Sequence, residues 1–382
     1  MNFRFTTPYF SLICLLFIVA CNPKKNTTND TKKSEEISKI KYAKGFEIKT
    51  VDGEKKLIIK SPYPNATEQF VYTIQAKSSE QKPGKSSNTI YVPLEKTVVT
   101  STTHIPMLEM LGVEKSLIGF PHTDYISSEK TRAMIDNGQV QEIGNKADIN
   151  TEVLLALNPE VVIGFSMSKT NKTLNLIERS GIPVILNGAW LEETPLGRAE
   201  WIKFFGLLYD KELEAEQIFN DIEANYLAVK EIAMTASSKP TILSGAVMSK
   251  DIWNLPAGKS FVAQFLTDAN TNYLWSDTDG TGSLSISFES ALDKGKDADF
   301  WIAPGYFTTK KQMLTSNEHY KEFTAFQKDQ VFTFATKLGA TGGTLYFELA
   351  PTRPDLVLKD IIKITHPELL KDYVTTFFEK LN

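Results

Sequence analysis

Glutamate recurs at one position of a repeated phrase. Ile149-Asn150-Thr151-Glu152 leads into a helical stretch and then the apolar run Val161-Val162-Ile163-Gly164-Phe165. Ile286-Ser287-Phe288-Glu289 leads into another helical stretch and then Phe300-Trp301-Ile302-Ala303. In each copy a polar residue can cap a helix, and a carboxylate follows in the first turn, where the helix dipole favours negative charge. One such Glu is most simply a capping residue. Two in matching places of the two halves describe two similar lobes, each presenting an exposed carboxylate, which is a docking geometry.

A second set of residues could hold a ligand. Ligands of open α/β sheets bind beyond the carboxyl ends of the strands, so the residues that follow strands are the candidates. In the first half these are Thr102, Thr103 and His104, then Phe120, Pro121 and His122, then Ser166, then Trp190, Glu192 and Glu193. In the second half they are Trp253, Asn254 and Leu255, then Tyr273 and Trp275, then Tyr306, and Tyr346 with Glu348 and Arg353. The binding set is Thr103, His122, Ser166, Trp190, Glu193, Trp253, Tyr306, Tyr346 and Arg353. Aromatic walls with a few polar groups suit a large planar ligand. Trp190 and Trp253 are favoured because each follows a strand in its own half. Trp301, inside a strand, and Trp201, inside a helix, are assigned to packing.

Other chemistries lack residues. His104, His122, His319 and His366 are the only histidines, too few for a bare zinc or manganese site, which wants several converging His and carboxylate ligands. His104 and His122 are expected to meet at the cleft edge, His366 to be structural, and no resident metal or cofactor is expected. There is no Gly-x-Ser-x-Gly elbow, no phosphate loop, no Gly-x-Gly-x-x-Gly after the first strand and no His-Glu-x-x-His. A binder rather than an enzyme is therefore expected. An enzyme would turn its ligand over, and a purely structural lipid-anchored protein would gain no stability from one. Gly339–Gly343 lacks the lysine of a phosphate loop and is read as a flexible loop. A net charge of -4 gives no basic surface for nucleic acid.

The elements that must position these residues follow from the pattern of the chain. Its 382 residues, 42% apolar and 11% aromatic, allow two or three domains with sizeable cores. Residues 1–21 read as a lipoprotein signal peptide: Arg4, then an apolar stretch too short to span a membrane, then Ile18-Val19-Ala20-Cys21, which resembles a lipobox with Cys21 as the lipidation site. Residues 22–44 are polar and read as a flexible tether. Residues 45–96 read as a small β element packed on the first lobe. Residues 97–194 alternate strand and helix, as do residues 237–382, which argues two α/β lobes with mostly parallel sheets. Between them, 195–236 carries apolar residues at helical spacing with only Tyr209-Asp210 as a possible break, and reads as a long linker helix. The chain ends in an amphipathic stretch, Leu369–Leu381.

From about Thr97 to His366 the chain resembles the substrate-binding proteins of ABC importers, of the helical-backbone class that carries iron complexes and vitamin B12. The residues that carry the likeness are the Glu152 phrase with Ala156-Leu157-Asn158-Pro159-Glu160-Val161-Val162-Ile163, the linker Thr194–Tyr209, Phe288-Glu289, and Arg353–Asp360 with His366-Pro367-Glu368. The resemblance implies Rossmann-like lobes, and a monomer anchored by lipid on the periplasmic side of a bacterial membrane. It implies a permease dimer with ATPase subunits as partner, a metal chelate as ligand, and Glu152 and Glu289 as the groups that engage arginines on the two permease subunits. A carboxylate and a guanidinium make a charge-assisted pair, and two pairs at fixed separation select one orientation. Only Arg132, Arg179, Arg198 and Arg353 follow the signal peptide, and only Arg198 and Arg353 fall near the cleft. A triply charged catecholate complex would favour several guanidinium donors. The expected ligand is therefore an iron complex, a less anionic ferric siderophore or haem, with a cobalamin or other corrinoid as the alternative.

Overall fold

The computed structural model describes residues 40–51, 53–78, 88–145 and 148–382; Cys21, the signal peptide and most of the tether lie outside the described residues. The first sheet is the hairpin Phe46–Val51 and Glu54–Ile59, joined by Phe70–Ala76 antiparallel and Thr89–Val92 parallel. Side chains alternate across a strand, so Phe46, Ile48, Leu57, Ile59, Tyr72, Ile74, Ile90 and Val92 share one buried face. That face belongs to the same core as Trp201, Phe204 and Phe205 of the linker. The Tyr72 hydroxyl donates to the Val184 carbonyl at 3.0 Å, fixing this sheet to the edge strand of the first lobe.

The first lobe holds five parallel strands in the order Val184–Leu186, Val161–Gly164, Thr97–Val99, Leu117–Phe120, Gln141–Glu142. Val99, Val161, Ile163 and Ile185 face the linker core, while Val98, Val162 and Val184 face Leu154, Leu174 and Ile177. Both faces are covered, which is why these strands read as unbroken apolar runs.

The second lobe repeats the plan. Asn272–Tyr273, Thr241–Ser244, Phe300–Ile302 and Val331–Thr333 are parallel, and Glu379–Lys380 closes the edge antiparallel. The apolar stretch over 241–249 forms two strands, Thr241–Ser244 and Ala246–Ser249. Gly245 turns the chain at φ 80°, and a Cβ there would lie 1.9 Å from the Asn254 carbonyl oxygen. The chain then runs into a three-stranded antiparallel sheet, Ala246–Ser249, Ile252–Pro256 and Ser283–Ser287. The amphipathic tail over 369–381 is not a helix. The buried Asp360 carboxylate accepts the backbone N–H groups of Thr376, Phe377 and Phe378 at 2.6–3.1 Å, and draws the tail across the lobe so that both phenylalanines are buried.

The linker is three helices: Pro195–Ala199, Ile202–Leu208 and Glu212–Ala233. Asp210, at φ 54°, breaks the run before the third. The 22-residue helix still joins the lobes. Ala215, Phe219 and Ile222 enter the core of the first lobe, and Tyr226, Val229 and Ala233 enter that of the second. The spacing alternates four and three, a continuous helical seam. Burying an aliphatic or Phe side chain contributes about 1.5–3 kcal/mol, so rotating one lobe off this helix costs several such contacts.

Residues 41–45, assigned by composition to the tether and its junction, are pinned to the linker. Glu200, fully buried, accepts the N–H groups of Lys41, Tyr42 and Ala43 at 2.6–2.8 Å. Glu192 accepts those of Lys44 and Gly45 and the Trp201 indole N–H at 2.8–3.0 Å. Residues 41–45 therefore belong to the folded body.

Candidate functional site

The strand Thr97–Val99 ends at a three-residue turn whose Ser101 hydroxyl accepts the Thr103 N–H. Ser101, Thr102 and Thr103 form one wall of a pocket of about 300 Å³. The linker supplies Pro195 and Arg198. The second lobe supplies Phe261 and Phe265, one helical turn apart on Phe261–Asp268, and Tyr346, Phe347, Ala350 and Pro351 on and after Leu345–Leu349. Both lobes and the linker thus meet at one cavity.

Among the described residues, Arg198 is the only charged one in that lining. Its Nη2 donates to the Trp190 carbonyl at 2.6 Å and its Nε to the Glu192 carbonyl at 3.2 Å. The guanidinium lies 3.5 Å from the Phe261 ring centroid, a cation–π contact. Burial brings its pKa down to about 10, opposed by the fields of Tyr346 and Glu192, so it remains a cation at neutral pH. Tyr346 stacks on Phe334 at 5.0 Å and meets Phe347 edge-on at 5.7 Å. Tyr306, 61% exposed, packs 5.9 Å from Phe347 and extends the aromatic wall to the surface.

Of the residues expected to hold ligand, Thr103 and Tyr346 line the pocket and Tyr306 joins its outer rim. The others have different work. His122 takes a left-handed conformation, φ 58°, and its ring meets Tyr125. Ser166 is buried and donates to the Ser168 carbonyl at 2.6 Å. Trp190 offers its carbonyl to Arg198, and Glu193 is exposed beside Lys44. Trp253 is fully buried, stacked on Trp301 at 5.2 Å with its N–H on the Ser244 carbonyl; it is core. Arg353 is held bidentate by Asp355 at 2.8 Å at the start of Pro354–Thr365. Arg198 lines the pocket and Arg353 does not. His104 is buried against Phe205, its pKa pushed down to about 3 by burial, so it does not meet His122 at a cleft edge. Among the described residues no group of three or more His, Cys, Asp or Glu could hold a metal ion.

Phe261, Phe265 and Phe347 were not singled out by sequence. The one signal was the Phe261/Phe265 pair at i, i+4 behind the Ser260 cap, which reads equally well as core.

The glycine-rich segment is a clasp rather than a loose loop. Leu338 bridges Thr344, and Gly339 N–H donates to the Gly343 carbonyl at 2.7 Å. A Cβ on Gly343 would sit 2.2 Å from the Tyr125 carbonyl oxygen, and one on Gly339 2.5 Å from the Ser127 Cα. Beyond it, the buried Glu348 carboxylate accepts the N–H groups of Ser127 and Ser128 at 2.7 and 2.8 Å. Thr341 donates to the Asp124 carbonyl at 2.8 Å. The second lobe is bolted to the first beside the pocket.

Glu152 and Glu289 are both exposed. Each is the second residue of its helix, behind the caps Asn150 and Ser287, whose side chains accept backbone N–H groups of the first turn. Neither makes an ion pair among the described residues.

Two α/β lobes on a shared helical linker, with a pocket walled by all three, define a bilobal ligand-binding protein. The chain belongs to the periplasmic binding protein family, whose sequence profile matches residues 98–338. It is 27% identical to an uncharacterized lipoprotein of Methanocaldococcus jannaschii, over 94% of this chain and 90% of that one. In fold it is similar to a periplasmic heme-binding protein of Pseudomonas aeruginosa (TM-score 0.58, 17% identity, covering 76% of this chain and 99% of that one). It is also similar to a periplasmic vitamin B12-binding protein of Vibrio cholerae (TM-score 0.51, 14% identity, 73% and 99%). No helix among the described residues is long and apolar enough to cross a membrane.

Proposed function

We propose that this protein is the substrate-binding component of an ABC importer, capturing an iron chelate and delivering it to a membrane permease. The observation that carries the reading is the pocket where Thr97–Val99 ends, closed by residues of both lobes and the linker. Family membership and the heme-binding neighbour support it. The protein holds its ligand reversibly and leaves ATP hydrolysis to other subunits. Cys21 carries the lipid anchor, in keeping with the relative described as a lipoprotein. A corrinoid is the second reading, favoured by a mostly apolar lining with one charge.

Glu152 and Glu289 are the docking groups in this reading. The seam through both cores holds the lobes, and with them the two helix starts, in a stable relation. The test is uptake by cells carrying Glu152→Ala with Glu289→Ala. Transport is expected to be lost while the affinity of the purified protein for its chelate is unchanged. Normal uptake by the double variant rejects the docking role. A chelate panel that leaves Tm unmoved rejects the binding role, since a ligand at 100 times its Kd stabilises by about 2.7 kcal/mol.

A further inference from the structure

The linker passes between the two cores twice. Leu196 lies in the core of the second lobe and Ala199, one turn on, in that of the first. Ile222 lies in the core of the first lobe and Tyr226, one turn on, in that of the second. Residues 41–45 sit at both crossings. All five of their backbone N–H groups go to carboxylates beside the first, those of Lys41, Tyr42 and Ala43 to Glu200 and those of Lys44 and Gly45 to Glu192. At the second, the Lys41 ammonium and the Tyr42 hydroxyl both donate to Glu223. The Tyr42 ring meets Phe219 at 6.0 Å and packs against the cores of both lobes. Lys203, itself buried, ties Glu200 to Glu216 of the long helix at 3.1 and 2.9 Å. A fully buried carboxylate is costly unless donors surround it, and hydrogen bonds to an ionised acceptor are the strong ones. Glu200 therefore grips residues 41–43 rather than merely touching them.

We propose that residues 41–45 are a brace that fixes the angle between the lobes, by bolting together the two places where the linker crosses from core to core. A lone helix between two bodies is free to bend at its crossing; two crossings held by one segment move only together. The glycine clasp ties the lobes at one further place, and a single tie of that kind leaves rotation about itself. The brace removes that rotation. Its residues lie before the stretch 98–338 that the family's profile matches, so it is built from a part of the chain that the shared plan does not include. Its consequence for transport rests on the docking reading. With the angle fixed, Glu152 and Glu289 keep one separation, and a partner with two arginines at that spacing meets both at once. Lobes free to rock present the pair at many separations, and binding then has to order them.

The test is the distance between spin labels on Leu155→Cys and Asp293→Cys in the full-length, detergent-solubilised protein, read by double electron–electron resonance. Both positions are exposed, one on the Glu152 helix and one on the Glu289 helix, and single-label controls show any label on Cys21. The protein with its natural residues 41–45 is expected to give one narrow distribution. Tyr42→Ala removes the ring and its hydroxyl, and Ala43→Pro removes one N–H that Glu200 accepts. Each is expected to roughly double the width of the distribution, or to split it in two. Val331→Ala, in the core of the second lobe's sheet, costs stability without altering any bond of residues 41–45, and is expected to leave the distribution as it was. Should Tyr42→Ala and Ala43→Pro fail to fold, Tyr42→Phe, which takes away only the hydroxyl on Glu223, is read in their place, with a smaller broadening expected. Brace variants as narrow as the natural protein, or a Val331→Ala control as broad as they are, overturn the brace. The measurement uses neither ligand nor permease, so that outcome leaves docking and chelate capture standing. Normal uptake by Glu152→Ala with Glu289→Ala rejects docking and leaves the brace standing.

Discussion

Two aromatic clusters in the second lobe use the same residue types for opposite ends. Around Trp253, the rings of Trp301, Tyr320, Phe323 and Phe288 pack within 5.2–6.2 Å, and all are buried. Around Phe334, the rings of Tyr346, Phe347 and Tyr306 pack at 5.0–5.9 Å, yet Phe347 and Tyr306 remain 42% and 61% exposed. The first cluster has its one indole N–H of each Trp satisfied by a backbone carbonyl, Ser244 or Gly245. The second lines a cavity with Tyr346 and Phe347. The difference lies in the backbone. Trp253 is the second residue of the central strand Ile252–Pro256, and Trp301, Tyr320 and Phe323 pack over its ring, so its face is sealed. Tyr346 and Phe347 stand on a five-residue helix thrown across the cleft by the glycine clasp, so one side has no protein against it.

The contrast breaks most easily through stability. Trp253→Ala should cost about 3–5 kcal/mol in chemical denaturation, the range for a large core aromatic, while the fraction that folds binds chelate normally. Unchanged stability would place Trp253 outside the core. Glu348→Ala should come next. It leaves the Ser127 and Ser128 N–H groups without their acceptor, at roughly 1–3 kcal/mol for each buried donor, and it should weaken chelate binding because the helix carrying Tyr346 and Phe347 is no longer clasped. Wild-type affinity in Glu348→Ala would show that the clasp does not position the pocket. Phe347→Ala inverts the pattern of Trp253: a small loss of stability and a clear loss of affinity by titration.

The smallest effect is a change of slope with pH. Burial raises the Glu348 carboxyl above its ordinary 4.5, against the opposing Ser127 and Ser128 hydrogen bonds and helped by the nearby Glu109. The folded protein therefore keeps that proton at a pH where the unfolded chain has released it. The contribution is fully present below 4.5 and is lost as pH rises through the folded value. Glu348→Gln cannot titrate, so its stability should fall less than that of the natural protein as pH rises from 4.5. Glu192 and Asp360 are raised for the same reason, but they are present in both proteins and cancel in the comparison. Parallel curves for the two proteins would contradict the shift.

Much of the fold was legible because it rests on periodicity. Val161–Gly164 and Phe300–Ile302 fall where the apolar runs place them, and both lobes follow from strand–helix alternation. The seam of the long helix was visible as helical spacing over 195–236, although Asp210 divides the linker ahead of it. The path of the tail was not legible because Asp360, not local periodicity, decides it. The site was half legible. Thr103 and Tyr346 come from a rule about strand ends. Trp253 obeys the same rule locally, yet the antiparallel sheet around it, invisible in a run of Ile, Trp, Asn and Leu, turns it inward. Arg198 was passed over for Arg353 because the sequence does not reveal which arginine has an aspartate two residues away folded back onto it. The clasp was hidden for a similar reason. Glycines that allow two backbones to touch look the same in sequence as glycines that allow a loop to move.

One cavity shared by both lobes and the linker is the binding site in this reading, and a crystal structure of the protein grown with haemin or a ferric chelate tests it directly. The predicted result is ligand between Thr103, Arg198 and Tyr346, with a ligand oxygen within hydrogen-bond distance of the guanidinium. Ligand bound elsewhere, with that cavity unfilled and Arg198 contacting only the carbonyls of Trp190 and Glu192, would contradict it.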